Sequence, residues 1–350
     1  MMKAVYARYI LRFKEPAVTS RQTMTVKETY FVKLEDEHGC AIGECGLFRG
    51  LGCDDIPGYE QRLAMVCRDL SHGVMPDMAD VPSIRFGVET ALACLEHGNP
   101  WRVNDTGWVD GLIRMPINGL VWMGSKREML ERIDRKLDAG FRCIKIKVGA
   151  IGFDDELDLL RHVRKRYRPE ELTLRLDANG GFATEDVMEC LKRLSDFSVH
   201  SIEQPIKAGQ YEAMARICDE SPIPIALDEE LIGLNRVADK AAMLDAVKPA
   251  FVILKPSLCG GLTGTREWKR LADERGIGSW ITSALESSVG LNAVSQLACE
   301  LYGDSVFPQG LGTGGLYVNN IDSPLRQCED YLTYNTSLAW SMPVLQWNIP

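Results

Sequence analysis

The chain has 350 residues, too many for one small core and enough for one large domain with a smaller companion. A hydrophobic fraction of 45% and a charged fraction of 25% exclude disordered and fibrous classes. The formal net charge is −9, with acids and bases mixed and no basic block, which argues against nucleic acid as a partner. No run of about 18 apolar residues occurs, so no membrane span is expected. The first residues, from Met1 to Arg8 with Arg12 and Lys14 behind them, lack the apolar core and cleavage site of a signal peptide. Eleven cysteines from Cys40 to Cys328 include no Cys-x-x-Cys pair, which points to reduced thiols and a cytoplasmic enzyme.

In chain order, residues from about Thr23 to Gly46 alternate in character through a turn at Glu37-His38-Gly39, the pattern of a hairpin. Two amphipathic helices are then predicted. Tyr59–Leu70 aligns Leu63, Val66, Cys67 and Leu70, and Pro82–Leu95 opens on proline and ends before His97-Gly98. Strands followed by helices make an α+β unit of roughly 100 residues.

From Met115 the rhythm changes to short β-branched runs alternating with helices. The runs are Cys143–Val148, Leu172–Asp177, Ser201–Glu203, Ile223–Asp228 and Phe251–Lys255; helices include Asp154–Tyr167 and Thr184–Leu194. Adding Pro116–Leu120 before them, and Gly278–Ser283 and Ser305–Gln309 after, gives about eight β/α units, which suits a closed parallel barrel.

The ends of these strands carry charge. Lys145 and Lys147, Asp177, Glu203, Asp228 and Lys255 follow one another at about one β/α unit each. Such groups are costly at the ends of buried strands unless paired or bound to metal, and barrel active sites lie at that end. Asp177, Glu203 and Asp228 are three hard oxygen donors suited to Mg²⁺; Mn²⁺ would satisfy them too. No His or Cys sits at these strand ends, which argues against zinc. Lys145 and Lys147, two apart on a strand, share a face. A lysine beside a cation and a second ammonium has its charged form disfavoured and can serve as a base. Singly, each piece has a plainer reading: a solvated Lys-x-Lys face, an aspartate capping the next helix, a turn at Glu203-Gln204-Pro205. Six charged groups in one register exceed those readings.

The stretches Lys145-Ile146-Lys147, Leu176–Gly180, Ile202–Pro205, Leu227–Glu229 and Leu254–Pro256 together resemble the enolase superfamily, in its muconate-lactonising subgroup. Further stretches, Gly46–Gly52, Pro116–Gly124, Lys255–Gly261, Ser283–Ser288 and Gly310–Tyr317, most resemble the o-succinylbenzoate synthase family within it. The resemblance implies an α/β modified TIM barrel, (β/α)7β-like, at 113–325. An N-terminal α+β capping domain would occupy 1–112, and a C-terminal segment, 326–350, would fold back on the cap. It implies Mg²⁺ held by Asp177, Glu203 and Asp228. Lys147 would be the acid–base residue, Lys255 would stabilise the intermediate from the other face, and Lys145 would support Lys147 or a substrate carboxylate. Asn179 and Glu229 are expected to back this ring. Ser283, Glu286 and Ser287 are expected to line the pocket, and Arg21 or Arg49, from loops closing over the barrel mouth, to hold a second carboxylate. The implied partner is a small-molecule carboxylate; oligomeric state is open.

The implied reaction dehydrates 2-succinyl-6-hydroxy-2,4-cyclohexadiene-1-carboxylate to an aromatic acid of menaquinone synthesis. N-acylamino acid racemases, dipeptide epimerases and cycloisomerases share the same metal site and lysines. Dipeptide epimerases usually carry an Asp-x-Asp after the eighth strand; here Gly310–Gly315 has no acid. Gly310-x-Gly312-x-x-Gly315 spells a dinucleotide fingerprint but precedes a strand-like stretch rather than a helix, and Gly119–Lys126 falls short of a phosphate loop. Gly260–Gly264, opening a helix, would suit a substrate carboxylate.

Overall fold

The computed structural model describes residues 2–19, 22–37, 39–149, 151–303 and 307–350. Three antiparallel strands begin it: β1 (Lys3–Val18), β2 (Thr23–Asp36) and β3 (Gly39–Cys45). Tyr30, Val32 and Leu34 of β2 are buried where α1 (Tyr59–Ser71) and α2 (Pro82–Glu96) cover the sheet, while Phe31, on the opposite face, packs against Val289 and Ile321. α2 lies very close to β3. A Cβ on Gly43 would stand 1.8 Å from the Gly87 carbonyl oxygen, and one on Gly87 2.6 Å from Cys45 Sγ. Two glycines at one crossing let backbone meet backbone.

After β4 (Arg114–Pro116), seven parallel strands form one curled sheet: β5 (Gly119–Val121), β6 (Cys143–Lys147), β7 (Thr173–Asp177), β8 (Ser201–Glu203), β9 (Ile225–Leu227), β10 (Phe251–Leu254) and β11 (Gly278–Ile281). Their helices are α3 (Lys126–Asp138), α4 (Phe153–Arg166), α5 (Val187–Ser195), α6 (Tyr211–Glu220), α7 (Val237–Val247), the short α8 (Pro256–Cys259), α9 (Gly261–Asp273) and α10 (Ser288–Tyr302). In α3, for example, a Ser125–Glu128 capping box starts the helix and Met129, Ile133 and Leu137 form the buried stripe. Burying each such side chain contributes roughly 1.5–3 kcal/mol.

The sheet closes through two residues. Gln309 bridges Ile117 and Gly310 bridges Thr282, both parallel. Asn118 N donates to Gln309 O at 3.0 Å, and Gly310 N to Ile281 O at 2.8 Å. Of the eighth strand expected at Ser305–Gln309, Ser305 and Val306 lie outside the described residues, and the closing contact falls at Gln309–Gly310. The result is a modified TIM barrel with an antiparallel N-terminal cap. The helix expected from Thr184 starts at Val187.

Towards the C-terminus, β12 (Leu325–Cys328) and β13 (Tyr331–Tyr334) form a hairpin that pairs with β4. Beyond it Trp340 stacks on Trp101 at 4.1 Å, and Asn348 bridges Tyr6 of β1.

Candidate active site

Strand register builds the site. Lys147 pairs across to Asp177, and Asp177 to Glu203, so three neighbouring strands end on charged side chains at one height. Neighbours in a parallel sheet point the same way. Lys145 sits one layer lower and reaches up: its Nζ donates to Glu203 Oε2 at 2.6 Å and lies 2.9 Å from Asp177 Oδ2. Lys147 Nζ meets the same Asp177 oxygen at 2.9 Å. Across the barrel Lys255 Nζ donates to Asp228 Oδ2. Charged residues spread along the chain from Lys145 to Lys255 are thus brought together at one end of the barrel.

Burial makes these charges interdependent. Asp177 is fully buried, which by itself raises its pKa. Lys145, then Lys147 and Lys255, outweigh that and hold the carboxyl well below its usual range. Burial likewise works against the Lys145 and Lys255 ammoniums, yet their acidic neighbours raise both, Asp177 and Glu203 for Lys145 and Asp228 for Lys255. Glu203 has its pKa raised, mainly by burial, against the pull of Lys145.

Three further residues hold the ring. Asn179, in the left-handed conformation at φ 46°, accepts from Lys147 Nζ at 2.5 Å and donates to Glu229 Oε1 at 3.0 Å. Its own N–H donates to Asp177 Oδ1 at 3.0 Å, a tight turn that asparagine tolerates. Gln204, also at positive φ, accepts from the backbone N–H of Asp228 and of Glu230 at 3.3 Å each, tying the end of β8 to that of β9. Asn179 touches Lys147 directly and Glu229 reaches it through Asn179, and both also line the pocket. Gln204 reads in the sequence only as part of a turn, and its tie to β9 is a finding of the structure.

The pocket above the ring is lined by Lys145, Lys147, Asp177, Asn179, Glu229 and Lys255. Its outer wall is mostly apolar, with Met24, Phe48 and Leu51 from the cap and Leu120, Trp122 and Leu285 from the barrel. Of the residues expected to line it, Ser283 does so. Glu286 and Ser287 do not, and both are fully buried. Glu286 accepts from the Ser257 and Ser283 hydroxyls, while Ser287 caps α10 and donates from N–H and hydroxyl to Glu44 of the cap. Their polarity serves the seam between cap and barrel. Arg49 is engaged elsewhere, with Glu28 and Asp55 at 2.7 Å each, and its side chain does not line the pocket. Its carbonyl accepts from Gln22 Nε2, and Gln22 does line it. Arg21 lies outside the described residues. The start of α9 at Gly260–Gly264 is filled by Glu89 of α2, which accepts from Thr263 N at 3.0 Å, so no substrate carboxylate is needed there. Gln22, Phe48 and Trp122 join the lining; Phe48 and Trp122 fall within the stretches Gly46–Gly52 and Pro116–Gly124, but no spacing pattern singles out these side chains.

The donor set fits a hard divalent cation. Asp177, Glu203 and Asp228 offer only oxygens, and Glu203 Oε1 is buried with no hydrogen-bond partner among the described residues. Among those residues no three acidic, His or Cys side chains are gathered as a ready ligand set; lysine ammoniums stand against the carboxylates instead.

A closed parallel barrel, a cap over its C-terminal end, and three acids on successive strand ends flanked by lysines define the class. Residues 128–331 match the family described as enolase C-terminal domain-like, and the chain belongs to the enolase superfamily. An o-succinylbenzoate synthase of Desulfotalea psychrophila is 43% identical, over 93% of this chain and 96% of the relative. The crystal structure of MenC from the same organism matches with a TM-score of 0.82 at 38% identity, covering 95% of this chain and 99% of that one. An N-succinylamino acid racemase of Thermus thermophilus is 34% identical over 47% of this chain and 42% of its own. A dipeptide epimerase from Cytophaga hutchinsonii, solved with Mg and a dipeptide, shares the fold at a TM-score of 0.82 and 19% identity.

Proposed function

We propose that this chain is an o-succinylbenzoate synthase, a carbon–oxygen lyase that removes water from 2-succinyl-6-hydroxy-2,4-cyclohexadiene-1-carboxylate. The near full-length relationship to the Desulfotalea psychrophila enzyme supports the reaction. The observation that carries the mechanism is the shared contact of Lys145 and Lys147 with one oxygen of Asp177.

Asp177, Glu203 and Asp228 would hold the cation, Mg²⁺ or Mn²⁺. When bound it would supply positive charge against the negative charge that removal of the α proton builds on the substrate carboxylate. Enolase-type sites in general pair a side-chain base with a divalent cation in this way. Lys147, as the free amine, takes the α proton, and the electron pair left behind moves towards the carboxylate. The ammonium so formed returns its proton to the departing hydroxyl, which leaves as water while the new double bond makes the ring aromatic. Lys255, on the opposite side, faces the same intermediate with a fixed positive charge. Lys145 keeps Asp177 and Glu203 in place and stands beside Lys147. Met24, Phe48, Leu51 and Leu285 give the ring and its succinyl arm an apolar wall. Gly310, Gly312 and Thr313 line the pocket where an amino group would need an acid, which favours dehydration over dipeptide epimerisation. In this reading residues 1–112 are the cap, 113–325 the barrel and 326–350 the returning segment. The reading places the enzyme in the cytoplasm, in keeping with cysteines that form no disulfide among the described residues.

The test is to incubate purified protein with Mg²⁺ and the cyclohexadiene substrate and follow loss of the diene absorbance. N-acylamino acids and dipeptides are assayed in parallel by optical rotation. Turnover of the diene substrate supports the reading. Turnover of an amino-acid derivative alone transfers the chain to a racemase or epimerase.

A further inference from the structure

A full eight-helix barrel packs a helix outside every strand. Here the chain after Gln309–Gly310 runs through turns to residue 320, and a cleft of about 270 Å³ remains between α3 and the 312–316 segment. We propose that this cleft is a second ligand site, taking a small organic dianion with an apolar body, such as an aryl dicarboxylate.

Its walls carry three cations, Arg132, Arg135 and Lys136, on consecutive turns of α3. Among the described residues the acid in the cleft lining is Glu15 of β1, 62% exposed, while Glu128 on the other side of Arg132 also acts on that guanidinium. Glu15 lies 3.9 Å from Arg132 Nη2 and 3.7 Å from Arg135 Nη1, beyond ordinary hydrogen-bond range. Lys136 has no ion pair with a carboxylate among the described residues; its ammonium sits over the Phe141 ring, 4.8 Å from the centroid. Burial, and then Arg135, lower the Lys136 pKa, the signature of a cation short of anionic neighbours. Backbone geometry makes room for it. A Cβ on Gly119 would stand 3.1 Å from both Lys136 Cδ and Phe141 Cγ. Leu120, Trp122, Phe141 and Leu316 complete an apolar floor. Clustered positive charge over an apolar floor recognises an anion that has a hydrophobic body, and two guanidiniums favour planar carboxylates.

The cleft also touches the reaction pocket through a thin wall. Leu120, Trp122 and Gly312 line both. The Trp122 ring faces Lys147 Nζ at 5.6 Å, and Arg132 Nη1 donates to the carbonyls of Trp122 at 3.2 Å and Met123 at 2.7 Å. An anion that draws on Arg132 therefore acts on the backbone carrying Trp122.

Phthalate is the probe, titrated calorimetrically into the full chain at ionic strength held constant with NaCl. Arg135→Gln/Lys136→Met is expected to weaken one binding event at least tenfold, and Lys147→Ala to leave that event in place. Arg135→Glu, at a side chain 64% exposed, repeats the loss without disturbing the packed Lys136 stem. Inorganic phosphate at equal ionic strength is expected to bind at least tenfold more weakly. The proposal is overturned if phthalate does not bind, if its binding is lost in Lys147→Ala and kept in the cleft variants, or if phosphate binds as well as phthalate.

Discussion

Lys147 Nζ stands 2.5 Å from Oδ1 of Asn179, and the Asn179 amide hands its own hydrogen on to Glu229 Oε1 at 3.0 Å. This chain aims the amine proposed to move the proton, and a misplacement of about 1 Å in such a group costs on the order of 10²-fold in rate. Asn179→Ala is expected to lower kcat about 10- to 100-fold with KM changed little. The pH profile of kcat should move as well, because the amide no longer accepts from the ammonium. A purely structural role would leave that profile in place. Steady-state kinetics across pH separate the two.

The acid ring predicts metal dependence. Chelation with EDTA should abolish turnover, and Mg²⁺ should restore it. Asp177→Asn, Glu203→Gln and Asp228→Asn should each weaken Mg²⁺ binding at least about tenfold, because each removes one negatively charged oxygen ligand. Isothermal titration with Mg²⁺ alone reads this without substrate. Unchanged affinity in all three would remove these acids from the metal site.

Between cap and barrel, Lys27 is buried without a hydrogen-bond partner among the described residues, with Glu44, Glu286 and Asp54 as its nearest acids. Glu44 in turn accepts from Thr29 and from the Ser287 and Gly290 N–H groups. Lys27→Met removes the buried cation facing these carboxylates and should lower the urea midpoint of unfolding. Adding Glu44→Gln should recover part of that loss. A double variant with fully additive losses would show the two charges to be uncoupled.

His200 lies at the opposite end of the barrel from the lysines, stacked on Phe251 at 5.2 Å and near Arg175. Burial first, and Arg175 second, lower its pKa from 6.5 to about 4. A histidine depressed by folding favours the folded state while neutral. Its contribution is complete above about pH 6.5 and is lost as the pH falls towards 4, on the order of 1–2 kcal/mol after solvent screening of this partly exposed ring. His200→Gln should flatten that part of the stability curve. An identical slope in wild type and variant would contradict the assignment.

Much of the site was legible because strand ends repeat. Lys147, Asp177, Glu203, Asp228 and Lys255 recur at the interval of one β/α unit, and equal spacing in a barrel becomes equal height. What eluded the sequence depended on distant partners. Glu286 and Ser287 look like pocket residues until Glu44, some 243 positions earlier, is seen to meet Ser287. Arg49 reads as a free loop cation until Glu28 and Asp55 are found beside it. The closing strand, reduced to Gln309 and Gly310, is too short to show a period of two.

The proposed chemistry turns on Lys147 moving the proton. The direct test compares wild type and Lys147→Ala for loss of diene absorbance under saturating Mg²⁺, with circular dichroism of both. Turnover reduced by about 10³-fold or more in a variant of unchanged fold is the expected result. Near-normal turnover in a folded Lys147→Ala protein would contradict the account.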